Sequence, residues 1–360
     1  MQAEVRRFGN EIIGYSTALS HPFLASTRVK TTTAGVLRLL ADGEFHSGVA
    51  LAQALGVSRA SVWNAVRELE TMGTAVYKVH GRGYRFPHAL SLLDRAAIER
   101  ALGPLAARLS VEVRTAAAST NALLLERAAA GAASGTVIAA EWQSAGRGRR
   151  GRAWHSGIGG GLAFSMLWRF AQGASELSGL SLAVGVALAR GLATLVGPGI
   201  ALKWPNDIMA DGGKLGGILI ELAGDVLGPG AAVIGVGINV WLSAGVRAGI
   251  DQPATDLESM LDGPVDRNAL LAGLLAELDR ALAVFTAAGF GPFRSEWESR
   301  HVHQGKPVTV LLPDGRSEQG EARGVAEDGS LLLETPSGMT RFHSGEVSLR
   351  PEREGVTRDT

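Results

Sequence analysis

The chain has 360 residues, 46% apolar and 19% charged, and its 35 basic and 35 acidic side chains cancel to a formal net charge of zero. That composition describes a globular protein with room for two or three domains and sizeable cores, and it excludes a disordered or fibrous chain. Cysteine is absent, which excludes disulfides, cysteine zinc sites and thioester-forming nucleophiles, so an acid activated here would be held without a thioester.

Residues 1–27 mix Glu4 and Glu11 with Arg6 and Arg7 and lack a long apolar core, so they do not read as a signal peptide. Residues 1–30 are expected to be an extension, disordered or translated from an upstream start. The longest apolar run, Leu177–Val196, contains Arg190, serines and glycines, which fits a buried amphipathic helix better than a membrane span. A cytoplasmic protein with no membrane partner is expected.

The basic charge is unevenly spread: residues 28–90 hold eight Lys/Arg against four Asp/Glu, pointing to a nucleic-acid contact near the N-terminus. Residues 33–41 read as a helix with Val36, Leu37 and Leu40 on one face. Ser47 caps a second helix that Gly56 ends, and Ser58 caps a third, Arg59–Glu70, with Val62, Val66 and Leu69 turned inward. The opposite face of the third helix offers Arg59, Ser61, Asn64 and Arg67. A hairpin follows, Ala75–Val79 and Tyr84–Phe86, with Arg82 at its tip. This is a winged helix-turn-helix whose third helix would enter the major groove, with Ser58 and Arg82 near phosphate. A winged helix that docks protein instead of DNA is the alternative. Pro87 begins a linker, which sets a reader domain at 31–88.

From residue 110 strands and helices alternate. Val111–Arg114, Thr136–Trp142, Leu162–Trp168, Ile200–Trp204, Leu215–Leu222 and Ala232–Trp241 read as strands. Ser119-Thr120-Asn121 opens a helix through Ala130, and long helices fill residues 176–196 and 267–287. An α/β domain with a mixed sheet is expected over residues 89–300.

Between two of these strands lies Gly146-Arg147-Gly148-Arg149-Arg150-Gly151-Arg152-Ala153-Trp154. Two like charges about 6 Å apart in water repel by about 0.7 kcal/mol, and the glycines add backbone freedom that costs entropy to fix. The loop should be mobile until an anion gathers it, such as a polyphosphate or a carboxylate. A solvated basic loop or an RNA patch is the plainer reading. Gly146, Gly148 and Gly151 match the spacing of a dinucleotide fingerprint, but a strand follows where that motif needs a helix. Lys203-Trp204-Pro205-Asn206-Asp207 ends a strand in a polar turn, and Lys203 reads as structural. In Gly213-Lys214-Leu215-Gly216-Gly217, Lys214 sits at the mouth of an apolar strand where it could reach a phosphate. That segment lacks the glycine spacing and Ser/Thr of a P-loop, and no metal-ligating cluster is read anywhere. Short strands with Asp-Gly turns over 305–349 predict an SH3-like barrel, here taken as residues 301–350 before a tail at 351–360.

Four segments in order, 146–154, 203–207, 213–221 and Gly235-Val-Gly-Ile-Asn239, resemble those of biotin–protein ligases. With the winged helix and the C-terminal module, the chain is similar to the bifunctional form that is both ligase and biotin operon repressor, over roughly residues 33–350. The resemblance implies a catalytic fold of the class II aminoacyl-tRNA-synthetase type. It implies ATP, biotin and Mg²⁺, with biotinyl-AMP as intermediate and corepressor, and transfer to a lysine of a biotin carboxyl carrier domain. It also implies operator DNA as a partner and a homodimer when the adenylate is bound. Ser119, Thr120 and Asn121 match the segment that holds the ureido ring, while Gln143, Arg147, Gly148 and Arg149 match the loop that closes over biotin. Lys214 matches the lysine on the carboxylate and α-phosphate, and with Arg149 it is the expected catalytic pair. Arg147, Arg150, Arg152, Trp154, Asn206 and Asn239 match nucleotide positions; Asp207 is a candidate base for the transfer step. After Trp154, His155-Ser156-Gly157-Ile158 departs from the family pattern. A lipoate-type ligase and a biotin sensor without chemistry are the alternatives.

Overall fold

The computed structural model describes residues 29–171, 177–224, 230–312, 315–343 and 348–351, plus a short pairing of β1 (Arg7–Phe8) with β2 (Glu11–Ile12). Of the extension expected at residues 1–30, all but residues 7–8, 11–12 and 29–30 lie outside the described residues, as do the turn at Pro313-Asp314 and all of the 351–360 tail but Pro351.

The reader comprises α1 (Thr31–Leu40), α2 (Gly48–Leu55), α3 (Arg59–Thr71) and the hairpin β3 (Tyr77–Val79) with β4 (Gly83–Arg85). Its boundaries follow local chemistry. Ser47 Oγ accepts from the Ala50 amide at 3.0 Å, Gly56 closes α2 at φ +64°, and Ser58 Oγ accepts from the Ser61 amide. Each such cap contributes about 1 kcal/mol. Val36, Leu40, Val62, Val66 and Leu69 form the core, as their spacing predicts. Ile158 belongs to the same cluster, so the reader borrows an apolar side chain from the segment just beyond the arginine loop.

A helix that the sequence reading did not anticipate, α4 (Arg95–Leu102), follows the linker, capped by Asp94. Then come β5 (Ser110–Arg114), α5 (Thr120–Ala129), β6 (Thr136–Ala140), β7 (Gly161–Phe170), α6 (Leu180–Val196) and β8 (Ala201–Lys203). The unit continues through β9 (Asp207–Ala210), β10 (Gly213–Gly224), β11 (Gly230–Asn239), α7 (Ala244–Ala248), α8 (Leu257–Leu261), α9 (Arg267–Ala288) and α10 (Arg294–Arg300). Seven strands form one sheet in the order β5-β6-β7-β11-β10-β9-β8, with β5 and β6 parallel and every other neighbour antiparallel. The sheet is mixed, as expected. Helices α4, α6 and α9 contribute to the main core on one face, and α5 packs on the other through Leu124 and Ala128 against Ile138, Leu167 and Val233. Among the described residues no helix is long and apolar enough to cross a membrane.

Two boundaries differ from the sequence reading for physical reasons. Strand β6 stops at Ala140 rather than Trp142, because Glu141 turns inward to accept hydrogen bonds from the Leu93 amide and Arg267. Strand β9 begins at Asp207, directly after the polar turn, and pairs with β8 and β10; the turn is a hairpin rather than a strand end.

The C-terminal sheet comprises β12 (Pro307–Leu311), β13 (Ser317–Val325), β14 (Leu331–Thr335), β15 (Gly338–Phe342) and β16 (Ser348–Pro351), all antiparallel in the order β15-β14-β13-β12-β16. It is the expected SH3-like module, with β15 an additional strand. Its Val310, Val325, Leu331 and Leu333 join the main core. Trp204 Nε1 donates to Gly329 O at 3.1 Å, so the module braces the turn that carries Asn206.

Candidate functional site

A cavity of about 440 Å³ opens where the ends of β8, β10 and β11, the start of α5 and the arginine loop meet; that volume suits a small-molecule ligand. Every residue expected to bind the acid or the nucleotide lines it, from Ser119 to Asn239. Lys203, read from sequence as structural, also lines it, as does Asp251, which the sequence reading did not single out.

The floor is polar and buried. Ser119, Thr120, Asn121 and Ser165 are each at most 4% exposed. Ser119 Oγ caps α5 through the Ala122 amide, and Gln143 Oε1 accepts from the amide and hydroxyl of Thr120 at 2.7 and 3.1 Å. The Asn121 amide nitrogen donates to Leu219 O at 3.1 Å and to Glu221 Oε2 at 2.8 Å, while its oxygen lies 2.5 Å from Ser165 Oγ. Glu221 closes the 213–221 segment without a role of its own in the sequence reading, and no motif announced Ser165; neither lines the cavity, and both hold Asn121, which does. Glycine is needed opposite this group: a Cβ on Gly235 would sit 2.2 Å from Asn121 Oδ1, and one on Gly237 only 2.5 Å from the Trp154 ring. The sequence Gly-Val-Gly on β11 is therefore the space that Asn121 and Trp154 occupy.

The arginine loop is folded into a small turn. Gly148 N donates to Arg152 O at 2.7 Å, Trp154 N donates to Gly146 O at 2.9 Å, and Arg147 bridges Ala153. Arg150 takes the left-handed conformation (φ +59°) at the tip, a backbone state that costs a non-glycine residue energy. Arg147 pairs with Glu221 at 3.3 Å, and Arg149 donates to Asn206 Oδ1 at 3.3 Å. Protein groups thus partly replace the expected anion. Burial lowers the Arg149 pKa from its ordinary value, Asp207 opposes that shift, and Arg150 and Arg152 add to it by repulsion. An anion seated here would relieve both penalties.

Lys214 Nζ lies 2.6 Å from Asp207 Oδ1, and each side chain is 17% exposed. Asn206 is held by its own amide donating to Ile218 O at 2.8 Å. Asn239 donates to Lys214 O and Thr255 O at 3.2 and 3.1 Å, so its amide N–H groups brace the strand that carries Lys214. The Trp154 Nε1 hydrogen is buried without a protein acceptor. The cavity is cationic in sum, with four arginines, Lys203 and Lys214 against the carboxylates Asp207 and Asp251.

The expected DNA-contacting residues form a separate face. Ser58, Arg59, Asn64, Arg67 and Arg82 are exposed and Ser61 is half-buried. Two arginines of this face stack on aromatic rings, Arg67 over Trp63 at 4.9 Å and Arg82 over Phe45 at 4.1 Å. Phe45 carries no sequence signal of its own; the hairpin brings it under Arg82.

Comparison with known proteins follows the same three parts of the chain. Residues 114–239 match the Biotin/lipoate A/B protein ligase family, residues 34–85 an HTH domain, and residues 303–350 the Biotin protein ligase C terminal domain. The chain is 39% identical over 315 residues to the bifunctional ligase/repressor BirA of Escherichia coli, covering 88% of this chain and 96% of that protein. It is 31% identical over 310 residues to the bifunctional ligase/repressor BirA of Bacillus subtilis, covering 86% and 95%. The solved biotin protein ligase from Aquifex aeolicus in complex with biotin and ATP aligns with a TM-score of 0.56 at 30% identity, covering 68% of this chain and 97% of that one.

Proposed function

The chain belongs to the biotin protein ligases, and from that premise we propose that it activates biotin with ATP, transfers the biotinyl group to one lysine of a biotin carboxyl carrier domain, and represses transcription through its winged helix. The observation that carries this reading is the convergence of the arginine loop, the Lys214–Asp207 pair and the buried Ser119–Asn121 floor on one cavity. We assign residues 31–88 to the reader, 89–300 to the catalytic unit and 301–350 to the C-terminal module. A cytoplasmic location fits this chemistry.

In the first step a biotin carboxylate oxygen bonds to the α-phosphorus of ATP, and the bond to pyrophosphate breaks. Negative charge grows on the α-phosphate oxygens, where Lys214 and Arg149 stabilise it. The ring, neutral and polar, takes hydroxyl and amide partners from Ser119, Thr120, Asn121 and Gln143; the adenine and ribose fall to Trp154, Asn206 and Asn239, the phosphates to Arg147, Arg150 and Arg152. In the second step the carrier lysine amine bonds to the acyl carbon, AMP departs, and the amine loses its proton, with Asp207 the acceptor we assign. Gly148 and its neighbours close the loop over the mixed anhydride and exclude water. Magnesium, when bound, would supply counter-charge to the triphosphate.

The adenylate is also the corepressor in this reading, and a two-fold dimer would set two readers on paired half-sites. Incubation with biotin, ATP, Mg²⁺ and a carrier domain should add one biotinyl mass to one carrier lysine; labelling with lipoate in its place would shift the reading to the sister activity. A sensor without chemistry would leave the carrier unmodified. Arg82→Ala should weaken DNA binding about equally across sequences and lower the salt slope by about one. An unchanged slope in titrations at several salt concentrations would remove Arg82 from the interface.

A further inference from the structure

We infer that Glu221 is a positioning residue that couples the ring end of the cavity to closure of the arginine loop. The inference rests on the roles assigned above to Asn121 and Arg147. One carboxylate receives donors from two segments far apart in sequence: Oε2 accepts from Asn121 Nδ2 at 2.8 Å and from Arg147 Nη2 at 3.5 Å, and Oε1 lies 3.3 Å from the same Arg147 nitrogen. A carboxylate has acceptor sites for both, and both contacts are charge-assisted. Strand β10 supplies the rigidity. Glu221 is held by its pairing with Val233 on β11, beyond the last pairing of β10 with β9 at Gly217, so the carboxylate is anchored to the sheet while the loop is the movable part.

The geometry fixes Asn121 in one sense only. Its nitrogen faces Leu219 O and the Glu221 carboxylate, and its oxygen faces Ser165 Oγ. A reversed amide would set its oxygen against the carboxylate and lose both donations. Gly235 leaves no slack behind it, since even one methyl there would overlap Asn121 Oδ1. A ring that displaces the Asn121 amide therefore changes the acceptor available to Arg147, and a loop that withdraws Arg147 loosens Asn121. Ring occupancy and loop closure become one equilibrium rather than two.

Glutamine at 221 keeps the shape but removes the charge that both contacts share, and with its oxygen on Asn121 its N–H groups replace the Oε1 that faces Arg147. Glu221→Gln should raise the rate at which trypsin cuts the unliganded chain after Arg147 to Arg152 by roughly three- to tenfold, and raise the biotin Kd by a similar factor. Arg147→Gln should do the same at Arg149, Arg150 and Arg152 from the exposed loop side, where misfolding is not at issue. The double variant should be no worse than the worse single one, because both remove one contact. Independent, multiplying effects on biotin Kd would overturn the coupling, as would an unchanged trypsin rate in Glu221→Gln. The trypsin arm needs neither vitamin nor nucleotide. Faster loop cleavage in Glu221→Gln, with a parent chain that fails to label a carrier, would retain the tether and sink the ligase reading; a parent that labels normally, with an unchanged cleavage rate in Glu221→Gln, would do the reverse.

Discussion

Lys214→Ala is expected to slow adenylate formation by about 10²- to 10³-fold, the scale for removing one preorganised donor from developing negative charge. The Lys214 ammonium is 17% exposed and sits among four arginines that line the same cavity. Its attraction for an α-phosphate is therefore less screened than that of a surface lysine. Alanine also leaves Asp207 without its 2.6 Å partner, placing a bare carboxylate where the substrates bring their own negative charge. Both effects fall on the reacting end, so biotin binding through the ring floor should weaken far less than turnover. The strand should survive, because what holds it is backbone: Lys214 N donates to Pro253 O, and Lys214 O accepts from Thr255 N and Asn239 Nδ2. ATP–pyrophosphate exchange measures the chemical step, and biotin titration measures binding. Exchange within about tenfold of the parent would remove Lys214 from the reaction.

The cavity was legible in the sequence wherever function demands unusual local chemistry. Four arginines among three glycines, a lysine between glycine pairs, and a Trp-Pro-Asn-Asp turn have few structural reasons to exist, and all of them line the cavity. The supporting groups were not legible, because their meaning is created by pairing. Glu221 meets Asn121 across 100 residues, and Ser165 meets it across 44; in sequence one is a glutamate in an apolar strand and the other a serine in another. Strand β9 was hidden for a different reason. Four residues, Asp-Ile-Met-Ala, are too short for a period to declare itself beside a strong turn signal. The reader was legible almost to the residue, since its caps and inward stripes are local. Its attachment was not: Ile158 enters the reader core and Gly73 packs against Gly157, contacts that no local pattern encodes.

Arg267 shows how much such a long-range partner can carry. Its guanidinium is 1% exposed and meets Glu141, 5% exposed, at 2.6 Å across 126 residues. It also donates to Ser91 O at 3.1 Å and to Gly161 O at 2.5 Å, and Glu141 accepts from the Leu93 amide. One side chain thus joins the linker below the reader, the end of β6 that leads into the arginine loop, and the start of β7 that leaves it. Arg267→Met should destabilise the protein by about 3–5 kcal/mol, because it strands a buried carboxylate whose desolvation nothing then offsets. Arg267→Met with Glu141→Gln should recover part of that loss, since a neutral amide in the same place still accepts from Leu93 and carries no charge to solvate. Denaturant midpoints of the three proteins decide the matter. A single substitution that shifts stability by less than about 1 kcal/mol, or a double no better than the single, would mean that the network contributes packing alone and that the two stems of the loop are fixed by other contacts.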